Sequence, residues 1–141
     1  MTQVKDKTDQ QLNMALAELM GYTVEWSKTQ ERWSLMLGRK IRATSSGTED
    51  LIWSYAPDYC NDPAASLEVQ AKAIEVDAAL YLKTLSAIVY GTTYAKVEEY
   101  DLIALIEVKR LLLASPRERA EAAYITLSIS KEDLNGTVGY R

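Results

Sequence analysis

Apolar residues recur at helical spacing in four stretches of the 141-residue chain and alternate with polar ones in another. The first helical stretch is opened by Thr8-Asp9-Gln10-Gln11, a capping-box pattern. Leu12, Leu16 and Leu19 then share a face, and Gly21 stands where a left-handed residue would stop the helix, which predicts a helix over 9–20. Three β-prone runs follow. Thr23-Val24-Glu25-Trp26 is the first. In Arg32–Leu37, Trp33, Leu35 and Leu37 alternate with Arg32, Ser34 and Met36, the period of a half-buried strand, and Ile41-Arg42-Ala43 extends it beyond Gly38. Thr44–Asp50 reads as a polar loop, and Leu51-Ile52-Trp53-Ser54-Tyr55 as a further strand stopped by Pro57.

The strongest periodicity lies between Pro63 and Val89. Asp62-Pro63 combines an N-cap with proline at the first helical position, and Gly91 is the stop. Leu67, Ala71, Ile74, Ala78, Leu82, Leu85 and Val89 form one stripe. Val69, Ala73, Val76, Leu80 and Ala87 form a second. An unbroken helix over 63–89 would be roughly 40 Å long, about the diameter of the domain. Two stripes imply burial on two sides or a partner chain, so a homo-oligomer is an open expectation. Gly91–Lys96 reads as a linker. Val97–Ala114 reads as helix, with a strand over Val108–Leu113 as the alternative. Ser115-Pro116-Arg117-Glu118 starts a last helix, which ends near Ser128.

These elements predict a single α+β domain over 1–141. It has a small antiparallel sheet within residues 23–55, packed by about four helical segments, with 63–89 as the spine. Short tails are expected at 1–7 and about 131–141. Six glycines and three prolines agree with few turns and long helices, and 48% hydrophobic residues suffice for one core.

Composition removes several chemistries. There is no histidine, which excludes His-dependent triads, dyads and metal sites, and the single cysteine, Cys60, excludes a disulfide within the chain and a CxxC pair. A reduced, cytoplasmic setting is the expectation. The start of the chain has no apolar signal-peptide core, and the longest uncharged run, Thr84–Ala95, is too short for a membrane span. With a net charge of −4, duplex nucleic acid is not an expected partner. No glycine-rich phosphate loop and no cofactor motif is present.

Four clusters carry candidate chemistry. Glu98, Glu99 and Asp101 read as helix-start acids. Asp58 and Asp62 flank Cys60, but Asp62 has a capping role and Cys60 lacks a histidine base. Ser115, Arg117 and Arg119 place basic residues at a helix start, where capping alone explains the serine. Arg39, Lys40 and Arg42 form the dense basic cluster. With Trp53, Tyr55 and Tyr59, and Trp33 close in sequence, they could wall a pocket for a nucleotide or another small anion; the alternative is a charged strand edge that discourages pairing.

Two pieces of the chain, Tyr55-Ala56-Pro57-Asp58-Tyr59-Cys60-Asn61-Asp62-Pro63-Ala64-Ala65 and Leu113-Ala114-Ser115-Pro116-Arg117-Glu118-Arg119-Ala120-Glu121-Ala122-Ala123, together with the opening helix-Gly-Tyr-x-Val-x-Trp pattern, resemble the phage ABA-sandwich domain family of phage and prophage proteins. The resemblance covers about half the chain. It implies a short first helix leading into a small sheet, and Asp-Pro and Ser-Pro turns that start later helices. Members usually place strands between the last two helices, where residues 80–113 here read as helical. The family has no established activity. The resemblance implies a phage or prophage context and no catalytic residues. On it rests the expectation of a small accessory protein, not an enzyme, that binds a host defence protein or acts as a ligand sponge, with a virion structural or assembly protein as the alternative. A carboxylate-dependent enzyme is the remaining option.

Overall fold

A computed structural model of the chain describes residues 3–90 and 105–136. A 3-10 turn at Val4–Asp6 leads into α1 (Asp9–Leu19), strands β1 (Tyr22–Ser27), β2 (Arg32–Leu37) and β3 (Lys40–Ser45), then α2 (Glu49–Trp53), α3 (Pro63–Tyr90), α4 (Leu105–Leu112) and α5 (Pro116–Gly136). The fold is α+β, as expected, with a three-stranded antiparallel sheet in the order β1-β2-β3. The expected linker at 91–96, residues 97–104 and the acids Glu98, Glu99 and Asp101 lie outside the described residues.

Local chemistry sets the element ends. The Thr8 hydroxyl accepts from the Gln11 N–H at 3.1 Å, while the Gln11 side chain accepts from the Thr8 N–H at 2.9 Å. This is the reciprocal pair expected of a capping box. Gly21 then adopts φ 99°, a conformation that disfavours any side chain. Gly38, at φ 62°, opens the two-residue turn between β2 and β3. The Arg32–Ala43 stretch is therefore two strands, β2 and β3, rather than one extended past Gly38. At the start of α5, the Ser115 hydroxyl and the Glu118 carboxylate form a second reciprocal box. The helix runs on to Gly136, eight residues beyond the expected end.

The expected strand at Leu51–Tyr55 is instead helical. Thr48 accepts from the Leu51 N–H at 3.2 Å, and Glu49 and Asp50 occupy the first turn, where acids oppose the helix dipole. This cap overrides the β propensity of Ile52 and Trp53, so the sheet ends at Ser45 and not at Tyr55. On a helix, Ile52 and Trp53 turn inward and are buried, while Leu51 and Tyr55, four apart, stay exposed.

α3 is not the unbroken rod its periodicity predicts. Asp77 leaves helical geometry (φ −158°, ψ 89°), and its carboxylate accepts from the Leu80 N–H at 3.1 Å, capping the second half. The Tyr81 hydroxyl donates to Gln70 Oε1 at 2.8 Å. Eleven residues of straight helix rise about 16.5 Å, more than two side chains bridge, so this bond depends on the bend. The break also changes which stripe is buried. Before it, Val69 and Ala73 are fully buried, whereas Leu67 and Ile74 are 47% and 40% exposed. After it, Tyr81 and Leu85 are buried. The Asp77→Ala variant is expected to lose about 1 kcal/mol, the usual worth of a cap, in chemical denaturation.

The core gathers Leu12, Leu16, Leu35, Ile52 and Tyr59 with the α3–α5 interface. That interface is the most extensive helix contact and is built from small residues, among them Ala65, Ser66 and Ala73 on α3 and Ala120 and Ala123 on α5. The residues before α1 are held by α5. Arg117 Nη2 donates to the Lys7 carbonyl at 2.7 Å and to the Val4 carbonyl at 3.4 Å, so Val4–Lys7 packs as part of the fold rather than trailing as a tail. Among the described residues, no helix is long and apolar enough to cross a membrane.

Candidate functional site

Three elements meet at a polar cleft of about 310 Å³, lined by Asp9, Gln10 and Asn13 from α1, Trp53 and Ser54 at the end of α2, and Ala56, Asp58 and Asn61 from the following loop. Asp9 lies in the first turn of α1, and Asn13 follows one turn later, on the same side. Asn13 Nδ2 donates to Asp58 Oδ1 at 2.8 Å, and its Oδ1 accepts from the Cys60 N–H at 3.1 Å. Asn61 Nδ2 donates to both Asp58 Oδ1 (3.2 Å) and Asp9 Oδ2 (3.1 Å). Arg117 Nη1 donates to Asp9 Oδ1 at 2.7 Å, and Arg117 Nε lies 3.8 Å from the Glu121 carboxylate.

These bonds fix the chemistry of the cleft. Both oxygens of Asp9 and one of Asp58 are engaged by donors. The carboxylate of Asp62 caps α3 through the Ala64 N–H at 3.0 Å. One oxygen of each, Asp58 Oδ1 and Asp62 Oδ1, is thus committed to holding the local structure. Burial pushes the Cys60 thiol up to about 11, an effect that outweighs the opposing charge of Arg117. At neutral pH it is a protonated thiol and a poor nucleophile. Cys60 in the native protein is accordingly expected to resist a thiol-specific reagent at pH 8 and to react fully in denaturant; rapid native labelling would contradict its burial. Among the described residues, no group of three or more Cys, Asp or Glu side chains could hold a metal ion.

Glu121 is nearly buried, and desolvation raises its carboxyl above the usual range despite the Arg117 guanidinium. Tyr59 and Tyr81, each 1% exposed, are raised by burial beyond the ordinary phenol range.

The residues proposed as an anion pocket are only partly together. Arg39 occupies the β2–β3 turn and Lys40 and Arg42 belong to β3, all exposed. Tyr55 is exposed at the end of α2. Tyr59 is in the core, and Trp53, turned inward because α2 is a helix, lines the cleft beside Asp9 and Asn13, which includes none of Arg39, Lys40 and Arg42. The basic residues near the α5 start serve the fold. Arg117 joins Asp9 and two backbone carbonyls, and Arg119 reaches Ser66 Oγ at 3.4 Å and the Leu112 carbonyl at 3.3 Å.

Sequence reasoning missed the Asp9–Asn13–Asp58–Asn61–Arg117 network. Its bonds join residues up to 108 positions apart, and the one local signal is the pair Asp9 and Asn13 one turn apart beside Leu12 and Leu16. Comparison with protein-family models, with curated proteins and with solved structures found no match for this chain.

Proposed function

We propose that this chain works by binding a partner rather than by turning over a substrate, as a phage or prophage accessory protein that inhibits a component of bacterial defence in the host cytoplasm. The observation that carries the first part is the state of the cleft. Both oxygens of Asp9, one of Asp58 and the amides of Asn13 and Asn61 are tied to one another, to Arg117 or to backbone, and the neighbouring Cys60 thiol is held protonated, which favours a binding role over a catalytic one. The phage context rests on the resemblance of residues 55–65 and 113–123. The test is expression in bacteria that carry different defence systems, followed by phage plating. Restored plating against at least one system is expected; no effect on any of them contradicts the reading.

The same fold suits a virion structural or assembly protein, and co-purification with intact particles would mark that alternative. Self-association belongs to either reading. It is supported by the apolar positions Leu67, Ala71, Ile74 and Ala78, which the broken α3 leaves exposed. Native mass spectrometry of the purified chain weighs the assembly directly, with a multimer as the expected result and a bare monomer against it. A passenger of a few hundred daltons would favour the ligand-sponge form of the reading.

A further inference from the structure

Charge is divided unequally between the sheet and the rest of the chain. Residues 22–45 hold five basic side chains (Lys28, Arg32, Arg39, Lys40 and Arg42) against two acidic ones, Glu25 and Glu31. The whole chain has 16 basic and 20 acidic residues, so the sheet unit carries +3 and the remainder −7. The five cations are all exposed, and none forms a side-chain hydrogen bond or ion pair within the described residues. Arg117 and Arg119, in the helical part, are both engaged. Five such cations thus fall within 24 consecutive residues of an acidic protein.

The sheet has a free face to present them. Its inner face packs on the helices through Val24, Leu35 and Ala43. The other face carries Arg32, Ser34 and Met36 on β2, with Thr44 opposite Ser34 and Ile41 opposite Met36 on β3, and Ser27, Glu25 and Thr23 opposite them on β1, so that Glu25 is the one acid among them. Ile41 is 61% exposed. The β2–β3 ladder slips between Leu35 and Met36, which leaves Arg42 as the extra residue of a bulge beside Ile41. Bulges commonly re-aim a side chain and mark functional edges. Edge protection accounts for Lys40 and Arg42 on the outer strand. It does not account for Arg32, which is on the central strand.

We propose that this free face, with Arg39 and Arg42 beside Ile41 at one end and Arg32 about 13 Å along β2 at the other, is the docking surface for an acidic protein surface. The proposal rests on the binding reading above and names the partner's chemistry. Charge complementarity selects the occupant. Exposed guanidinium groups take carboxylates in two-pronged hydrogen bonds, and arginine around an apolar centre is the composition of interface hot spots. A long polyanion such as nucleic acid fits less well. Charges are screened only beyond about 8 Å at physiological salt, so a chain of phosphates crossing the small sheet would meet the acidic remainder. A compact acidic surface touches the sheet alone.

The test is backbone-amide NMR of the full chain, titrated with a short poly-glutamate peptide and, separately, with a deoxythymidine oligonucleotide of equal charge. The expected result is saturable shifts of amides in 22–45 with poly-glutamate, weakened about tenfold or more in a variant with Arg32→Glu, Arg39→Glu and Arg42→Glu. Unchanged α3 and α5 signals would show that the variant folds; the neutral set Arg32→Gln, Arg39→Gln and Arg42→Gln replaces it otherwise. Tighter binding of the oligonucleotide would overturn the proposal in favour of a nucleic-acid surface. Shifts outside 22–45, or insensitivity to the substitutions, would also overturn it. Concentration-dependent shifts in 22–45 without any probe would assign the face to a second copy of the chain. Defence inhibition is read separately by plating: protection with no poly-glutamate binding would sink this surface alone, and binding with no protection would sink the functional reading alone.

Discussion

Arg117→Met is expected to destabilise the fold by about 3 kcal/mol at pH 7.5, the low end of the range for breaking one side of a buried ion pair. Arg117 holds Asp9, the Lys7 carbonyl and the Val4 carbonyl, and it faces Glu121, whose side chain is only 10% exposed. Methionine fills similar volume but supplies no charge, so the Glu121 carboxylate loses the cation that offsets its desolvation. The pH dependence has a definite sign. Burial raises the folded pKa of Glu121 above its unfolded value of 4.5, so the native state binds the proton more tightly. The carboxyl therefore favours folding most below about pH 4.5, and that contribution declines as pH rises through the folded pKa. Without Arg117 the folded pKa climbs further. The loss in Arg117→Met should accordingly be smaller at pH 5 than at pH 8, and a second change, Glu121→Gln, should flatten the difference. Urea denaturation across pH checks both; an equal loss at every pH would leave Arg117 its bonds to Asp9, Lys7 and Val4 and remove the role assigned to Glu121.

Ala73→Leu is expected to cost about 2–3 kcal/mol, the upper part of the range for overpacking a close-fitted core. Ala73 is fully buried on the α3 face that meets α5, where alanine and serine let the two helices approach closely. Three added carbons have no space there unless the helices separate. Ala71→Leu is the control. It lies two residues away on the exposed face, and the expected change is within about 0.5 kcal/mol. Apolar spacing alone does not separate the two, since Ala71 lies on the first apolar stripe and Ala73 on the second. Equal losses in the two variants would contradict the packing described.

The choice between the two stripes shows where sequence pattern stopped being informative. The starts of α1, α3 and α5 were legible because each depends on neighbours within four residues: Thr8 with Gln11, Asp62 with Pro63, Ser115 with Glu118. The break at Asp77 was not, since Val76, Ala78 and Ala79 all suit a continuous helix and only the aspartate marks a cap. Once the helix bends there, one phase no longer fits both halves, and the buried stripe moves. α2 was misread because Ile52 and Trp53 favour strands, while the deciding signal was Thr48 three residues before Leu51. The polar cleft was beyond reach because α1, the end of α2 and the loop that follows it meet only in the folded chain. The basic cluster at Arg39, Lys40 and Arg42 was legible as charge. That Arg32 shares its unit, and that Trp53 and Tyr59 turn away from it, required the fold.

The most direct test compares the wild type with the Arg32→Glu, Arg39→Glu, Arg42→Glu variant, expressed at equal levels, in bacterial strains that carry different defence systems. The account predicts that phage plating is restored by the wild type and not by the folded variant. Equal restoration by both would contradict it, because the surface that does the work would then lie outside the sheet.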